Sequence, residues 1–254
     1  MSLDPPIQMV VSDSDDVWPA LAAEIVAEVL QRPGRGVNPR RLMLTGGETA
    51  TRLYRQLRSG EGTVDAEVEL FIGDERGVMQ DHPRSNGGMI RRELTSSGPW
   101  AGAPFHAIDG GANPDVAARR YELCIEEPMD VVLVSLGSDG HLASLFPGSE
   151  ALCETDRLVV PVVHPETGER RITITPRVFA AAGMVIGLVV GSERGALLRR
   201  QLEASVGGDR SLPVHHLAEV TWVFDRSAGD AFQMAEGVAG CERLATRVDP
   251  SVRR

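Results

Sequence analysis

One histidine of this 254-residue chain lies in a setting that suits general-base chemistry. Asp139-Gly140-His141 follows the apolar run 131–136, so the loop comes directly after a predicted buried strand. A histidine titrates near neutral pH, and an aspartate two residues away can fix its tautomer. His141 is therefore a candidate general base with Asp139 beside its ring. The alternative is an ordinary turn, which an Asp-Gly pair also favours.

Two further polar segments follow predicted strands. Thr45-Gly46-Gly47-Glu48-Thr49 comes after strand 41–44, and its bare backbone N–H groups at a helix N-terminus suit a phosphate. A plain tight turn is the alternative, and Glu48 counts against an anion. Asp74-Glu75-Arg76 comes after strand 68–72 and is either a solvated charge cluster or an arginine that holds an anion beside an orienting carboxylate. Because ligands bind beyond the carboxyl ends of parallel strands, these loops predict one anion-binding site.

The composition excludes several classes of protein. All 26 basic residues are arginine, so Schiff-base, pyridoxal-phosphate and Walker A chemistry lack their lysine. Arginine can still hold a phosphate bidentately. A net charge of −10 without a basic block argues against nucleic acid, and no apolar run reaches the ~18 residues of a membrane helix. Three cysteines without a CxxC pair suit a reducing compartment, so we expect a cytoplasmic protein.

Apolar spacing and turn residues divide the chain into alternating strands and helices. Strands are predicted at 41–44, 68–72, 131–136, 185–190 and 220–224. The first helix is predicted at 14–30, behind a Ser14/Asp15 cap. Further helices are predicted from the Gly-Gly turn through Leu57, after Ser85-Asn86 through Leu94, from Pro114, and at 193–202. This alternation predicts a single doubly wound α/β domain over 1–254 with a mostly parallel sheet. Segment 158–174 predicts an inserted β-hairpin flap, and 229–254 a short C-terminal helix and tail.

Taken together, the polar segments resemble the 6-phosphogluconolactonase family over most of the chain, from Ser14 to Ala228. The most specific segment is Asp-Gly-His-x-Ala-Ser-Leu-Phe-Pro-Gly at 139–148. The other matching motifs are Thr45-Gly46-Gly47-Glu48-Thr49, Asp74-Glu75-Arg76 with Ser85-Asn86, Arg171-Ile172-Thr173 and Gly191-Ser192-Glu193-Arg194. Their order and spacing also agree with the family.

The resemblance implies a fold, a reaction and a set of site residues. The fold is a three-layer α/β/α sandwich of the sugar-isomerase and CoA-transferase type, and the reaction is hydrolysis of 6-phospho-D-glucono-1,5-lactone without metal or organic cofactor. His141 would activate water, oriented by Asp139 or Asp74, and the chain would be a monomer or a small homo-oligomer. Arg76 is counted with these catalytic residues, and the implied substrate-binding residues are Thr45, Gly46, Gly47, Thr49, Arg76, Asn86, Arg171 and Arg194. The three arginines would share the phosphate and the developing oxyanion.

Two other functions are compatible with part of the pattern. A glucosamine-6-phosphate deaminase of the same fold would carry Asn-Glu-Pro-Gly where this chain has Leu145-Phe146-Pro147-Gly148, which offers no acid. A sugar-phosphate-binding regulatory module would need no base, so Asp139 and His141 argue against it.

The chain also departs from the family in places. Arg194 replaces the usual lysine and keeps its charge. Glu48 replaces a small hydroxyl residue, and we expect Arg52 to pair with it one helical turn on. The remaining histidines, His82, His106, His164, His215 and His216, are expected to be structural or on the surface.

Overall fold

The centre of the molecule is a parallel β-sheet. The computed structural model describes residues 7–32, 39–60, 67–204, 210–217, 219–234 and 241–243. The sheet strands are β1 (Ile7–Val11), β2 (Arg40–Leu44), β3 (Val68–Ile72), β5 (Phe105–His106), β6 (Val131–Ser135), β9 (Met184–Val189), β10 (Val220–Phe224) and β11 (Cys241–Arg243). Within the described residues they lie in the order β11-β1-β10-β9-β6-β2-β3-β5, and every neighbouring pair is parallel.

Consecutive residues of the central strands are buried. In β2, Leu42, Met43 and Leu44 are fully inaccessible, and in β6 all of Val131–Val134 are buried. Alternating side chains of a strand point to opposite faces, so both faces of the sheet must be covered. Helices provide this cover, which confirms the predicted layered α/β fold.

Seven α-helices flank the sheet in the described part of the chain. They are α1 (Trp18–Gln31), α2 (Gly47–Arg58), α3 (Asn86–Glu93), α4 (Pro114–Glu122), α5 (Pro176–Ala181), α6 (Ser192–Ala204) and α7 (Arg226–Met234). Among them α1 packs on α2, and α6 packs on α7. In the described ranges, no helix has the length and apolar character needed to cross a membrane.

The start of the first helix was predicted wrongly. Helix α1 begins at Trp18, and its N-cap Val17 provides no side-chain cap. Asp15 lies in the preceding turn, where its carboxylate accepts hydrogen bonds from the Ser227 backbone (2.7 Å) and hydroxyl at the start of α7. Because the Asp15 carboxylate bonds Ser227, it does not cap α1. Strand β1, which precedes the turn, was not predicted.

The C-terminal segment also differs in part from the expectation. Helix α7 begins at Arg226, three residues before the expected segment 229–254. Cys241–Arg243 form β11, which extends the sheet beside β1 where a tail was expected. The rest of the tail, 235–240 and 244–254, lies outside the described residues.

A small antiparallel sheet accompanies the large one. Strands β7 (Val159–Val163) and β8 (Arg170–Ile174) pair as a hairpin within segment 158–174. A third strand, β4 (Asp74–Arg76), pairs with β8 and places Arg76 opposite Arg171. The sequence indicated a loop at 74–76, because a three-residue strand has no periodicity of its own.

The strand order reverses direction between β6 and β2. From β2 the chain proceeds outward through β3 to β5, and from β6 it proceeds the other way through β9 to β10. Loops leaving two adjacent strands at such a switch point diverge and leave a crevice between them. The predicted functional loops lie at this crevice.

Candidate active site

An open cleft of about 500 Å³ lies beyond the carboxyl ends of β2, β3, β6 and β9. The structure brings ten of the predicted site residues to its wall: Thr45, Gly46, Gly47, Thr49, Asp74, Arg76, Asn86, His141, Arg171 and Arg194. The eleventh, Asp139, contacts His141 from the same loop. The predicted residues therefore form one site.

The Gly46-Gly47 turn, hereafter the cradle, joins β2 to α2 and lines the cleft. Gly46 is the N-cap of α2, and Gly47 has φ +95°, which favours glycine. A Cβ on Gly46 would lie 2.3 Å from the Asn86 Oδ1 atom, so a larger residue would displace the buried Asn86 side chain. Below the turn, the Tyr54 hydroxyl bonds both the N–H (2.9 Å) and the carbonyl (2.7 Å) of Thr45. The N-terminus of α2 is thus held in place at the cleft.

His141 and Asp139 form a hydrogen-bonded pair. The His141 Nδ1 atom lies 2.5 Å from Asp139 Oδ1, which also accepts the His141 backbone N–H at 3.1 Å. The hydrogen bond from His141 lowers the pKa of Asp139 to about 2. An ionised carboxylate only accepts hydrogen bonds, so Nδ1 must carry the proton and Nε2 of a neutral ring has the free lone pair. Two turn glycines close the loop: Gly140 has φ +89°, and the Gly137 N–H donates to the His141 carbonyl.

Asp74, the other candidate for orienting the histidine, is bonded elsewhere. Its Oδ1 atom accepts from Asn86 Nδ2 (3.2 Å) and its Oδ2 atom from the Ser144 hydroxyl (2.6 Å). Asn86 Nδ2 also donates to the Asp74 carbonyl at 3.0 Å. The structure therefore gives the contact with the His141 ring to Asp139 and puts Asp74 between the cradle and Ser144.

Glu75 is a structural carboxylate with no face on the cleft. It is fully buried and accepts hydrogen bonds from the backbone N–H groups of Arg76, Asn86 and Gly87 and from the Ser85 hydroxyl. Burial raises the pKa of the Glu75 carboxyl, and the backbone N–H groups and the Ser85 hydroxyl oppose that rise. Two of these donors are at the N-terminus of α3, so Glu75 fixes Asn86 at the cleft wall.

The three predicted arginines differ in what already binds them. Arg171 pairs with Glu169 at 2.9 Å, and Arg76 donates to the Arg84 carbonyl. Arg194, in the first turn of α6, donates to the Val190 carbonyl at 3.2 Å. In the described part of the chain no carboxylate lies within 4.0 Å of the guanidinium of Arg194 or of Arg76. Among these described contacts, Arg171 is therefore the one predicted arginine that pairs with a carboxylate.

Several residues of the site were not predicted. Ser144, which bonds Asp74, lies within the 139–148 motif but was not named as a site residue. Glu169, which pairs with Arg171, lies outside the matching motifs. The Phe146 ring lies 5.4 Å from the His141 ring and 4.8 Å from the His164 ring. His164 was expected to be structural or on the surface, and it lies at the end of β7 with this ring between it and His141.

The expected pair between Glu48 and Arg52 does not form. The Arg52 guanidinium instead lies 5.4 Å over the Trp18 ring and donates to the Asp15 carbonyl. Trp18 and Asp15 both lie around the start of α1, and the sequence did not predict that this segment contacts Arg52. Glu48 is exposed and lines the cleft without this counter-charge.

Comparisons with known proteins agree with this geometry. A family model described as glucosamine-6-phosphate isomerases/6-phosphogluconolactonase matches residues 12–223. A 6-phosphogluconolactonase of Nostoc sp. is 34% identical over 202 residues, covering 74% of this chain and 82% of the relative. The human 6-phosphogluconolactonase is 29% identical, covering 88% of this chain and 93% of the relative.

Solved structures give the same result. The structure of 6-phosphogluconolactonase from Trypanosoma brucei matches with a TM-score of 0.73 at 25% identity, over 88% of this chain and 98% of that chain. A monomeric glucosamine-6-phosphate deaminase shares the fold, with a TM-score of 0.73 at 19% identity over 89% of this chain and 100% of that chain. The family predicted from the motifs is thus confirmed. The chain belongs to the glucosamine-6-phosphate isomerase/6-phosphogluconolactonase family.

Proposed function

We propose that this chain is a 6-phosphogluconolactonase, which hydrolyses 6-phospho-D-glucono-1,5-lactone to 6-phospho-D-gluconate in the oxidative pentose phosphate pathway. The observation that carries the proposal is the pairing of a base and an anion cradle across one cleft. The His141 ring, with Asp139 on its Nδ1 atom, shares the cleft with the Gly46-Gly47 turn and Arg194. A phosphorylated lactone needs both features.

The cleft favours an anionic sugar by its charge. Its wall carries four arginines and two carboxylates, although the net charge of the whole chain is −10. The arginines are Arg52, Arg76, Arg171 and Arg194, and the carboxylates are Glu48 and Asp74. We assign the substrate phosphate to the cradle at the N-terminus of α2 and to the Arg194 guanidinium. Backbone N–H groups and an arginine without a carboxylate partner together suit a phosphate.

In the proposed reaction His141 acts as a general base. Its Nε2 atom accepts a proton from water as the water oxygen bonds to C1 of the lactone. Arg76 and Arg171, which face each other across β4 and β8, stabilise the oxyanion at C1. The bond between C1 and the ring oxygen then breaks, and the imidazolium returns its proton to that oxygen. A positioned base contributes about 10²- to 10⁴-fold in rate, which is ample for a lactone that also hydrolyses unaided.

A deaminase function is disfavoured by the residues after the base. Segment 145–148 is Leu-Phe-Pro-Gly, and the Phe146 side chain is buried against His141, where a deaminase carries an acid. Ring opening and proton transfer on an amino sugar therefore lack one of their groups.

We propose one catalytic domain, active as a monomer or a small homo-oligomer, in which the 158–174 hairpin brings Arg171 to the substrate. We also propose a cytoplasmic location, where a reducing environment suits the two exposed free cysteines Cys124 and Cys153. No nucleic-acid or membrane partner is included in the proposal.

The function is tested by generating the lactone in situ and following 6-phosphogluconate with a coupled dehydrogenase. Spontaneous hydrolysis is measured without the protein and subtracted. We expect a saturable acceleration proportional to protein concentration. In parallel, ammonia release from glucosamine 6-phosphate is measured, and we expect none. Ammonia release without lactone hydrolysis would assign the deaminase reaction instead.

The exposed carboxylate of Glu48 gives a separate prediction. Glu48→Ser is expected to lower KM for the lactone by about two- to five-fold at low ionic strength, because it removes a negative charge near the phosphate. The effect should shrink as salt is added. The matched control is Glu150→Ser, which removes an exposed glutamate outside the cleft. An unchanged KM for Glu48→Ser would mean that Glu48 points away from the bound phosphate.

A further inference from the structure

Ser144 lies where the histidine loop meets the small arginine-bearing sheet. It is fully buried, and its hydroxyl donates to Asp74 Oδ2 at 2.6 Å. Its backbone N–H donates to the Thr173 hydroxyl at 3.1 Å. Asp74 and Thr173 are directly opposite each other in the β4 and β8 pair. Ser144 thus bonds both members of one cross-strand pair.

The same hydroxyl also reaches one of the arginines. Arg171 Nη1 donates to Ser144 Oγ over 3.4 Å, while its Nε and Nη2 atoms donate to Glu169. Arg171 is opposite Arg76 in the strand pair, two positions along from Asp74 and Thr173. The position of Ser144 therefore sets how far the His141 loop lies from the two arginines.

The backbone beside Ser144 is held in an unfavourable conformation. Leu142 and Leu145 exchange both backbone hydrogen bonds, so Ala143 and Ser144 are the central residues of a tight turn. Ala143 has φ +53° and is the one non-glycine residue with positive φ among those described. The first central position of such a turn normally takes glycine. Strain of this kind persists where the surroundings fix the chain, and it often marks a functional site.

We infer that Ser144 is a positioning residue of the lactonase reaction, which docks the His141 loop onto the β4 and β8 strands and so fixes the base relative to Arg76 and Arg171. The inference depends on the proposed function. Ser144 itself need not contact the substrate. Its hydroxyl donates a hydrogen bond to the buried Asp74 carboxylate and accepts one from Arg171, which holds the guanidinium in one orientation.

The test compares kcat and KM of the wild type with those of Ser144→Ala in the lactone assay. The phosphate cradle and Arg194 belong to other elements, so KM should change less than about threefold. In Ser144→Ala the distance between the His141 base and the two arginines should no longer be fixed. A misplacement of about 1 Å can cost up to about 100-fold in rate. We therefore expect kcat to fall by about 10- to 100-fold. Ser149→Ala, the same change at a serine outside the cleft, should keep wild-type kcat and KM.

A double-mutant cycle separates positioning from general loss of structure. If Ser144 acts through Arg171, then Ser144→Ala should lower kcat by less than about threefold in an Arg171→Gln background. If Ser144→Ala does not fold, Ser144→Cys fills the same space with a group that hydrogen-bonds only weakly, and it should show the same fall in kcat.

Three results would overturn the inference. One is a kcat within twofold of wild type for Ser144→Ala, or for Ser144→Cys where that variant replaces it. Another is a fall that adds fully to that of Arg171→Gln. A wild-type chain without lactonase activity would overturn the proposed function, and the inference would fall with it.

Discussion

Replacing His141 with alanine is expected to lower kcat by about 10²- to 10⁴-fold while KM stays within a few-fold of wild type. The ring is 27% exposed at the cleft, and its Nδ1 atom is bonded to Asp139, so Nε2 is the atom of the neutral ring that can accept a proton. Removing it takes away a group that acts in the transition state and leaves the phosphate contacts in place. The measurement is steady-state kinetics in the coupled lactone assay, after subtraction of spontaneous hydrolysis.

The matched control for this variant is His216→Ala. His216 lies outside the cleft lining and its Nε2 atom contacts the Arg210 carbonyl, so its loss should leave kcat unchanged. A folded His141→Ala protein with wild-type kcat would remove His141 from the role of base. A rise in KM alone would give it a binding role.

Replacing Arg194 with methionine is expected to raise KM by about 10- to 150-fold, since a hydrogen bond to a charged group contributes about 1.5–3 kcal/mol. Arg194 has no carboxylate partner in the described part of the chain, and it donates to the Val190 carbonyl just before its own helix. Its charge is therefore available to the phosphate. KM for the lactone and the inhibition constant of inorganic phosphate should rise together.

Arg194→Lys provides the control for charge. Lysine keeps the positive charge that the family usually has here but lacks the planar fork of arginine. We expect Arg194→Lys to keep KM within about fivefold of wild type. If Arg194→Met lowers kcat and leaves KM unchanged, Arg194 stabilises the oxyanion, and Arg76 or Arg171 must bind the phosphate.

Most of the large sheet could be predicted from local patterns. The strands 68–72 and 220–224 coincide with β3 and β10, and Pro114 is the first residue of α4 as expected. Short, mostly apolar runs rich in β-branched and aromatic residues predict such strands, because both faces of the sheet are buried. The start of α1 could not be predicted, because the contact of Asp15 with Ser227 joins residues 212 positions apart.

The site was predictable as a set of loops but not as a set of contacts. Positions at strand ends identified the cleft residues of segments 45–49, 74–76 and 138–141, since parallel strands bring their carboxyl ends to one edge. Asn86, Arg171 and Arg194 were identified by the family resemblance. Spacing could not distinguish Asp139 from Asp74 as the partner of His141, because both follow strands that meet at that edge. The roles of Ser144 and Glu169 depend on the pairing of β4 with β8, which is set by tertiary contacts.

The pH dependence of kcat/KM tests the role of His141 as a base most directly. A protonated imidazole cannot accept a proton from water, so kcat/KM should fall about tenfold per pH unit at the acid end of the range from about pH 5 to 8. Asp139 cannot produce this fall, because the hydrogen bond from His141 lowers its pKa to about 2 and it stays ionised throughout. A kcat/KM that is constant over this range in the wild type would contradict the role of His141.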